Sequence, residues 1–268
     1  MQHFNLPKLT DEVKEIAMLA ADFIRSNVGK VKSQEIEAKS ANSFVSYVDK
    51  KAEKIIVERL EMLLPEAEFI TEEDTVENSS HELVWIVDPL DGTTNFLQGI
   101  PHFSVSIALR KGDEYLLGVV VDVMQNDTYH AYKNGGAFCN NQKVTTSRTA
   151  SMGQAVIATG FPYYRVEKLP KLINMLDAFL HEARGIRRLG SAALDLTYVA
   201  CGKMDIFYET SLNVWDIAAG IILVREAGGS VSNFEGNPTH LSGSDIIASN
   251  GLLDLRAREI IQHALMKK

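Results

Sequence analysis

The chain has 268 residues, 46% hydrophobic and 23% charged, with 35 acidic against 27 basic side chains and a net charge of −8. A chain of this length and composition builds a sizeable core without disulfides and is not a disordered segment. Its acidic balance argues against non-specific nucleic-acid binding, which depends on a basic surface.

The two cysteines, Cys139 and Cys201, form no CxxC pair. They suit a reducing cytoplasm and read as buried apolar thiols. The start, MQHFNLPKLTDEV, has no basic stretch followed by an apolar run, so no signal peptide is expected. No apolar run is long enough to span a bilayer, and no membrane partner is expected.

Apolar residues at helical spacing predict a helix over 10–28, with Thr10 as N-cap. Residues 29–40 are polar and lysine-rich, a mobile loop or short hairpin. Residues 44–48 read as extended, and a second helix follows over 50–64, ended by Pro65. Residues 68–71 read as a strand delivering Glu72, Glu73 and Asp74, and 75–82 as an exposed loop. Strands are expected over 103–109 and 115–123, then 128–132, with Asn140-Asn141 as a hairpin turn. The first half, 1–148, thus reads as helices on a largely antiparallel sheet.

From 149 to 268 strand and helix alternate, as in an α/β lobe. Strands are expected over 155–159, 185–189, 204–208 and 246–248. Helices are expected over 167–182, 191–201, 215–227 and from Asn250, as a cap, to about 266. Gly228-Gly229 ends the third of these. The whole chain, 1–268, reads as one catalytic domain.

The stretch WIVDPLDGTTNF at 85–96 organises the rest. Trp85, Ile86 and Val87 favour a buried strand. Asp88 to Gly92 reads as a turn, and Thr93, Thr94 and Asn95 suit a helix start. Carboxylates at a strand end gather hard cations, and free N–H groups at a helix start bind phosphate. Glu72, Asp88, Asp91 and Asp216 all stand where elements begin or end, as does Asp49. A single such acid is commonly a cap or a solvated charge; their joint pattern points to metal-assisted phosphoryl chemistry. The seven histidines show no HExxH spacing, and His102, His130 and His240 read as surface or structural groups.

The pattern resembles the inositol monophosphatase family, within the wider group that includes fructose-1,6-bisphosphatases. The resemblance is carried by WIVDPLDGTTNF at 85–96 and WDIAAGIILVREAGG at 215–229. FITEE at 69–73, Val48-Asp49-Lys50, LGSAALDL at 189–196 and Tyr208-Glu209 support it. It departs from the family in having Thr71 before the Glu pair and Ser191 in place of Thr; neither alters a ligand.

The resemblance implies an α+β fold, a layered α/β sandwich (αβαβα) of the inositol monophosphatase and fructose-1,6-bisphosphatase type. It implies two or three Mg²⁺ per site. Glu72, Asp88 and the Leu90 carbonyl would hold one; Asp88, Asp91 and Asp216 would hold a second; a third would sit near Glu72. Glu72, Thr93 and Asp49 would orient the attacking water. Asp91, Gly92, Thr93 and Thr94 would meet the phosphate, and Gly190, Ser191, Ala192, Glu209 and Asp216 the rest of the substrate. Lys39 is a candidate for closing over the metals. Inhibition by Li⁺ and a homodimer are also implied.

The chemistry is coherent in itself. A phosphate monoester carries about two negative charges, so attack by hydroxide needs cations about 4 Å apart to neutralise them. The expected function is Mg²⁺-dependent hydrolysis of a small polyol or sugar phosphate, foremost myo-inositol monophosphate. The alternatives are 3′-phosphoadenosine 5′-phosphate, fructose 1,6-bisphosphate or histidinol phosphate, or a regulatory role binding RNA or a transcription component. A base or second phosphate would need groups such as Ile186-Arg187-Arg188 or Tyr163-Tyr164-Arg165, which read more simply as surface.

Overall fold

The computed structural model describes residues 4–40, 43–76, 82–161, 169–238 and 245–267. The expected loop over 75–82 and the start of the expected helix at 167 fall largely outside these residues, as do His240 and Tyr163-Tyr164-Arg165.

Five layers stack, alternating helix and sheet. Helices α1 (Leu6–Asn27) and α2 (Tyr47–Leu63) form the first. The second is a seven-stranded sheet of β3 (Glu68–Thr71), β4 (Leu83–Asp91), β5 (Ser104–Lys111), β6 (Glu114–Asp122), β7 (Asp127–Tyr132), β8 (Gly136–Cys139) and β9 (Gln142–Val144), in that order. Only the β3–β4 pair is parallel. The middle layer holds α5 (Ala192–Ala200) and α6 (Val214–Glu226). The fourth is a five-stranded sheet of β10 (Val156–Thr159), β11 (Gly185–Arg187), β12 (Ile206–Thr210), β13 (Ser230–Ser232) and β14 (Asp245–Ser249), ordered β11-β10-β12-β14-β13. Helices α4 (Leu169–Glu182) and α7 (Asp254–Met266) close the stack. A two-stranded hairpin, β1 (Ile36–Ser40) with β2 (Ser43–Ser46), precedes α2, and a short α3 (Thr93–Gln98) follows β4.

Strand parity builds the layers. On β4, Trp85 and Val87 pack with the α1/α2 core, while Val84 and Ile86 pack with the α5/α6 core. Both faces are covered, so the strand is apolar throughout rather than alternating. In the second sheet Phe207, Ile246 and Ala248 face the middle layer, and Ile206, Tyr208 and Ile247 face α4 and α7. Among the described residues no helix is long and apolar enough to cross a membrane.

Some local expectations are corrected. Helix α1 begins at Leu6, because Asn5 caps it and Pro7 occupies its first turn; Thr10 is internal, its hydroxyl donating to the Leu6 carbonyl. Helix α2 begins at Tyr47 under a capping box between Ser46 and Asp49. Of the two alternatives for 29–40, the segment holding Lys39 takes the hairpin, as β1 paired with β2. Strand β12 runs on through Thr210, so Glu209 lies within it. Asn250 does not cap α7; its Oδ1 accepts from Leu252 and Leu253 N–H in a turn before that helix. Strand β13 escaped expectation because it is three residues long.

Candidate active site

The central motif is not a free turn after Val87, as its Pro and Gly suggested. Strand β4 continues to Asp91, with a bulge. Asp88 pairs with Ser106 and Asp91 with Ser104, so three steps on β4 oppose two on β5. In a regular strand residues three apart point to opposite faces. The extra residue brings Asp88 and Asp91 to the same cleft. Pro89 is suited to the bulge because it has no N–H to leave unpaired.

Four acids from three separated elements meet there. Glu72 stands just beyond β3, its N–H donating to the Val87 carbonyl at 3.3 Å. Asp88 and Asp91 come from β4. Asp216 sits in the first turn of α6, where its Oδ2 accepts from Asn213 N in a capping box. All four line one cleft of about 130 Å³, with Leu90, Gly92, Thr93, Thr94, Gly190, Ser191, Ala192 and Glu209. Asp49 lies behind it, fully buried at the start of α2.

Each acid is held by specific donors. Asp49 Oδ2 accepts from Ser46 N at 2.9 Å and Ser46 Oγ at 2.7 Å, and its Oδ1 accepts from Thr93 Oγ1 at 2.9 Å. Asp88 Oδ1 accepts from Leu90 N at 3.0 Å. Asp91 Oδ2 accepts from Ser191 Oγ at 2.5 Å and Ala193 N at 2.8 Å. Ser191 therefore spends its one proton on Asp91, and the nearby Ser104 hydroxyl, 3.2 Å away, must donate to Ser191. Asn95, buried in α3, donates to His102 O at 2.7 Å and Leu189 O at 2.9 Å, tying the motif to the segment that carries Gly190 and Ser191.

Burial and mutual repulsion charge the cleft unfavourably. Burial, then the neighbouring Glu72, Asp91 and Asp216, push Asp88 well above the carboxylate range. Burial, Asp91 and Glu72 do the same to Asp216. Burial raises Asp91 to about 6, against hydrogen bonds from Ser191 and Ala193 that oppose the rise. Burial raises Asp49 too, with Ser46 and Thr93 opposing. Burial takes Glu209 to about 8, moderated by Arg188.

Such a cleft has the donor set of a hard divalent cation: carboxylate oxygens and a carbonyl, with repulsion that a cation would relieve. As the side chains stand, no three His, Cys, Asp or Glu among the described residues close on one point as a finished cage. The fit therefore rests on donor type and shared cleft.

Several cleft residues were not singled out from the sequence as site residues. Asp195 on α5 is buried, and burial with the Glu209 and Asp91 charges pushes it well above the carboxylate range. Its signal was available: one acid inside the apolar run AALDLTYVA. Arg188 and Phe161 line the mouth. Ser211 takes a left-handed φ of 68°, uncommon for a non-glycine residue, and its buried hydroxyl has no hydrogen-bond partner among the described residues. His102 and His130 are structural, as expected, packing edge-on to Tyr198 and stacked on Phe138.

An acid-lined cleft between two stacked sheets, beside a bulged Asp-Pro-Leu-Asp strand, has the donor set suited to cation-assisted phosphoryl chemistry. The chain belongs to the inositol monophosphatase family, whose model matches residues 5–265. It is 40% identical over 260 residues to an inositol-1-monophosphatase of Mesorhizobium japonicum, covering 97% of this chain and 95% of that protein. It is also 40% identical over 235 residues to the Nus factor SuhB of Escherichia coli K12, covering 87% and 88%. The structure is similar to the extragenic suppressor protein suhB of Bartonella henselae, with a TM-score of 0.87 and 37% identity over 92% of this chain and 96% of that one.

Proposed function

We propose that this chain is a Mg²⁺-dependent phosphatase that hydrolyses a small phosphate monoester, foremost myo-inositol monophosphate, by attack of an oriented water. The observation that carries the reading is the convergence of Glu72, Asp88, Asp91 and Asp216, from three distant parts of the chain, on one cleft.

Glu72, Asp88, the Leu90 carbonyl, Asp91 and Asp216 would hold two or three Mg²⁺, which when bound supply charge neutralisation and a lowered water pKa. The chain's own groups do the positioning. Thr93 Oγ1 stands within bonding distance of both Asp49 Oδ1, at 2.9 Å, and Leu90 O, at 3.0 Å. It has one proton. Donating that proton to Asp49 keeps the Leu90 carbonyl for a cation and turns a Thr93 lone pair toward an attacking water. Glu72 lines the same cleft and would help hold that water. Gly92 and Thr94 line the wall where phosphate oxygens would lie, and Ser191 fixes Asp91 rather than the substrate. Glu209, Gly190 and Ala192 face the alcohol portion.

Phosphate release from inositol monophosphate, with Mg²⁺ supplied and then chelated, tests the reading; release unaffected by chelation contradicts it. The relative named Nus factor SuhB motivates a second reading, a role with the transcription machinery. Affinity capture by purified RNA polymerase, with and without nucleic acid, tests that role. We also read the chain as a homodimer in the cytoplasm, which light scattering and fractionation check.

A further inference from the structure

Two glycines in the cleft wall give their side-chain space to charged groups. A Cβ on Gly160 would stand 2.1 Å from both carboxylate oxygens of Glu209, and one on Gly190 would stand 2.6 Å from Arg188 Nη1. A side chain at either position would force the charged group to move. The Glu209 carboxylate therefore lies against Gly160, and the Arg188 guanidinium against Gly190. Gly160 directly follows β10 and Arg188 directly follows β11; these strands are parallel neighbours with Ala158 opposite Arg187. The register sets the two charged groups on the same edge of the second sheet.

Arg188 is exposed, and among the described residues it is the only cation lining the cleft, its charge bearing on the Glu209 and Asp195 carboxyls. Asp195, which also lines the cleft, is 1% exposed, and its Oδ1 has no hydrogen-bond partner among the described residues. This wall thus offers a donor-only guanidinium beside carboxyl oxygens that can accept.

We propose that Arg188 is a specificity residue of this cleft: its guanidinium donates to one hydroxyl of the alcohol portion while Glu209 accepts from a neighbouring hydroxyl. The inference deepens the phosphatase reading and rests on it. A hydroxyl both donates and accepts, so adjacent hydroxyls satisfy the two groups together. A second anion on the leaving group would meet the Glu209 and Asp195 carboxylates. A flat apolar leaving group would cover the charged groups without pairing them, which is costly. A neutral polyol fits all three.

Steady-state kinetics with Mg²⁺ on inositol monophosphate and on p-nitrophenyl phosphate, which carries no hydroxyl, test this. In R188A the KM for the polyol ester should rise about tenfold or more, with kcat nearly unchanged. Its kcat/KM on p-nitrophenyl phosphate should not fall, since that leaving group pairs with nothing on Arg188, and R188K should recover part of the lost affinity. Equal losses on both esters, or no change on either, would overturn the proposal. So would a loss confined to fructose 1,6-bisphosphate, which would give Arg188 to a second anion. If wild type cleaves neither monoester, the phosphatase reading falls with it; if wild type cleaves both and R188A is unchanged, this inference alone falls.

Discussion

Thr93 and Asp49 lie 44 residues apart in the chain and one hydrogen bond apart in the fold, with Thr93 Oγ1 donating to Asp49 Oδ1 at 2.9 Å. The bond joins the start of α2 to the start of α3 in the central motif. Asp49 is doubly committed, since its other oxygen closes the α2 capping box.

Thr93→Val keeps the volume and removes the hydroxyl. We expect kcat to fall about 10²-fold or more with KM little changed, because in the proposed mechanism the group orients the attacking water. Circular dichroism should show an intact fold. Wild-type kcat in this variant would remove Thr93 from the mechanism.

Gly118 on β6 meets α6 closely. A Cβ there would stand 2.7 Å from Ile222 Cγ2 and 2.8 Å from the Ala219 carbonyl. Helix α6 also carries Asp216. Gly118→Ala should therefore cost about 1–3 kcal/mol of stability by overpacking and lower activity by displacing the start of α6. Urea denaturation with parallel assays reads both; unchanged stability would show that the layers separate easily.

His130 sets a pH dependence of stability. Burial, chiefly, and Lys14 on α1 lower its pKa from 6.5 to about 4, with Asp11 on the same helix opposing. The folded value lies below the unfolded one, so the unfolded chain takes up the proton first as pH falls. The stabilisation is complete above about 6.5 and is lost as pH drops through about 4, by up to about 1.4 kcal/mol per pH unit for one proton. The cleft carboxylates, with raised pKa values, pull the other way. The comparison is therefore between wild type and His130→Phe, which keeps the stacking on Phe138. The variant should lose less stability between pH 6.5 and pH 4; parallel curves would show that His130 is not buried as a neutral ring.

Gly160→Ala would place a methyl against the Glu209 carboxylate. We expect the KM for a polyol ester to rise, with p-nitrophenyl phosphate hydrolysis nearly preserved. Equal losses on both substrates would make the glycine a general structural requirement.

The order of helices and strands was legible because it rests on patterns that burial imposes. Val84 to Val87 read as buried strand, and the 3.6-residue period of α1 was plain even though its start was misplaced. Asn5 and Pro7 carried that start, but Thr10 offered a nearer cap of the same chemical kind. The meeting of Asp88, Asp91 and Asp216 in one cleft was also legible, through whole motifs rather than single residues. The β4 bulge was not, because a Pro and a Gly signal a turn as readily as a bulge. Asp195 carried a signal, one acid inside an apolar run, that was not taken up. Arg188 read as surface because its place in the cleft depends on the space left by Gly190, which arises only when the chain is folded.

The central claim is that Asp88, Asp91 and Asp216 serve one cation-dependent hydrolytic centre. The most direct measurement is phosphate release from inositol monophosphate by wild type and Asp91→Asn across a Mg²⁺ titration, with circular dichroism confirming both folds. The account predicts Mg²⁺-dependent turnover in wild type and near-complete loss in the folded variant at every Mg²⁺ concentration. Turnover by Asp91→Asn that matches wild type and ignores Mg²⁺ would contradict it.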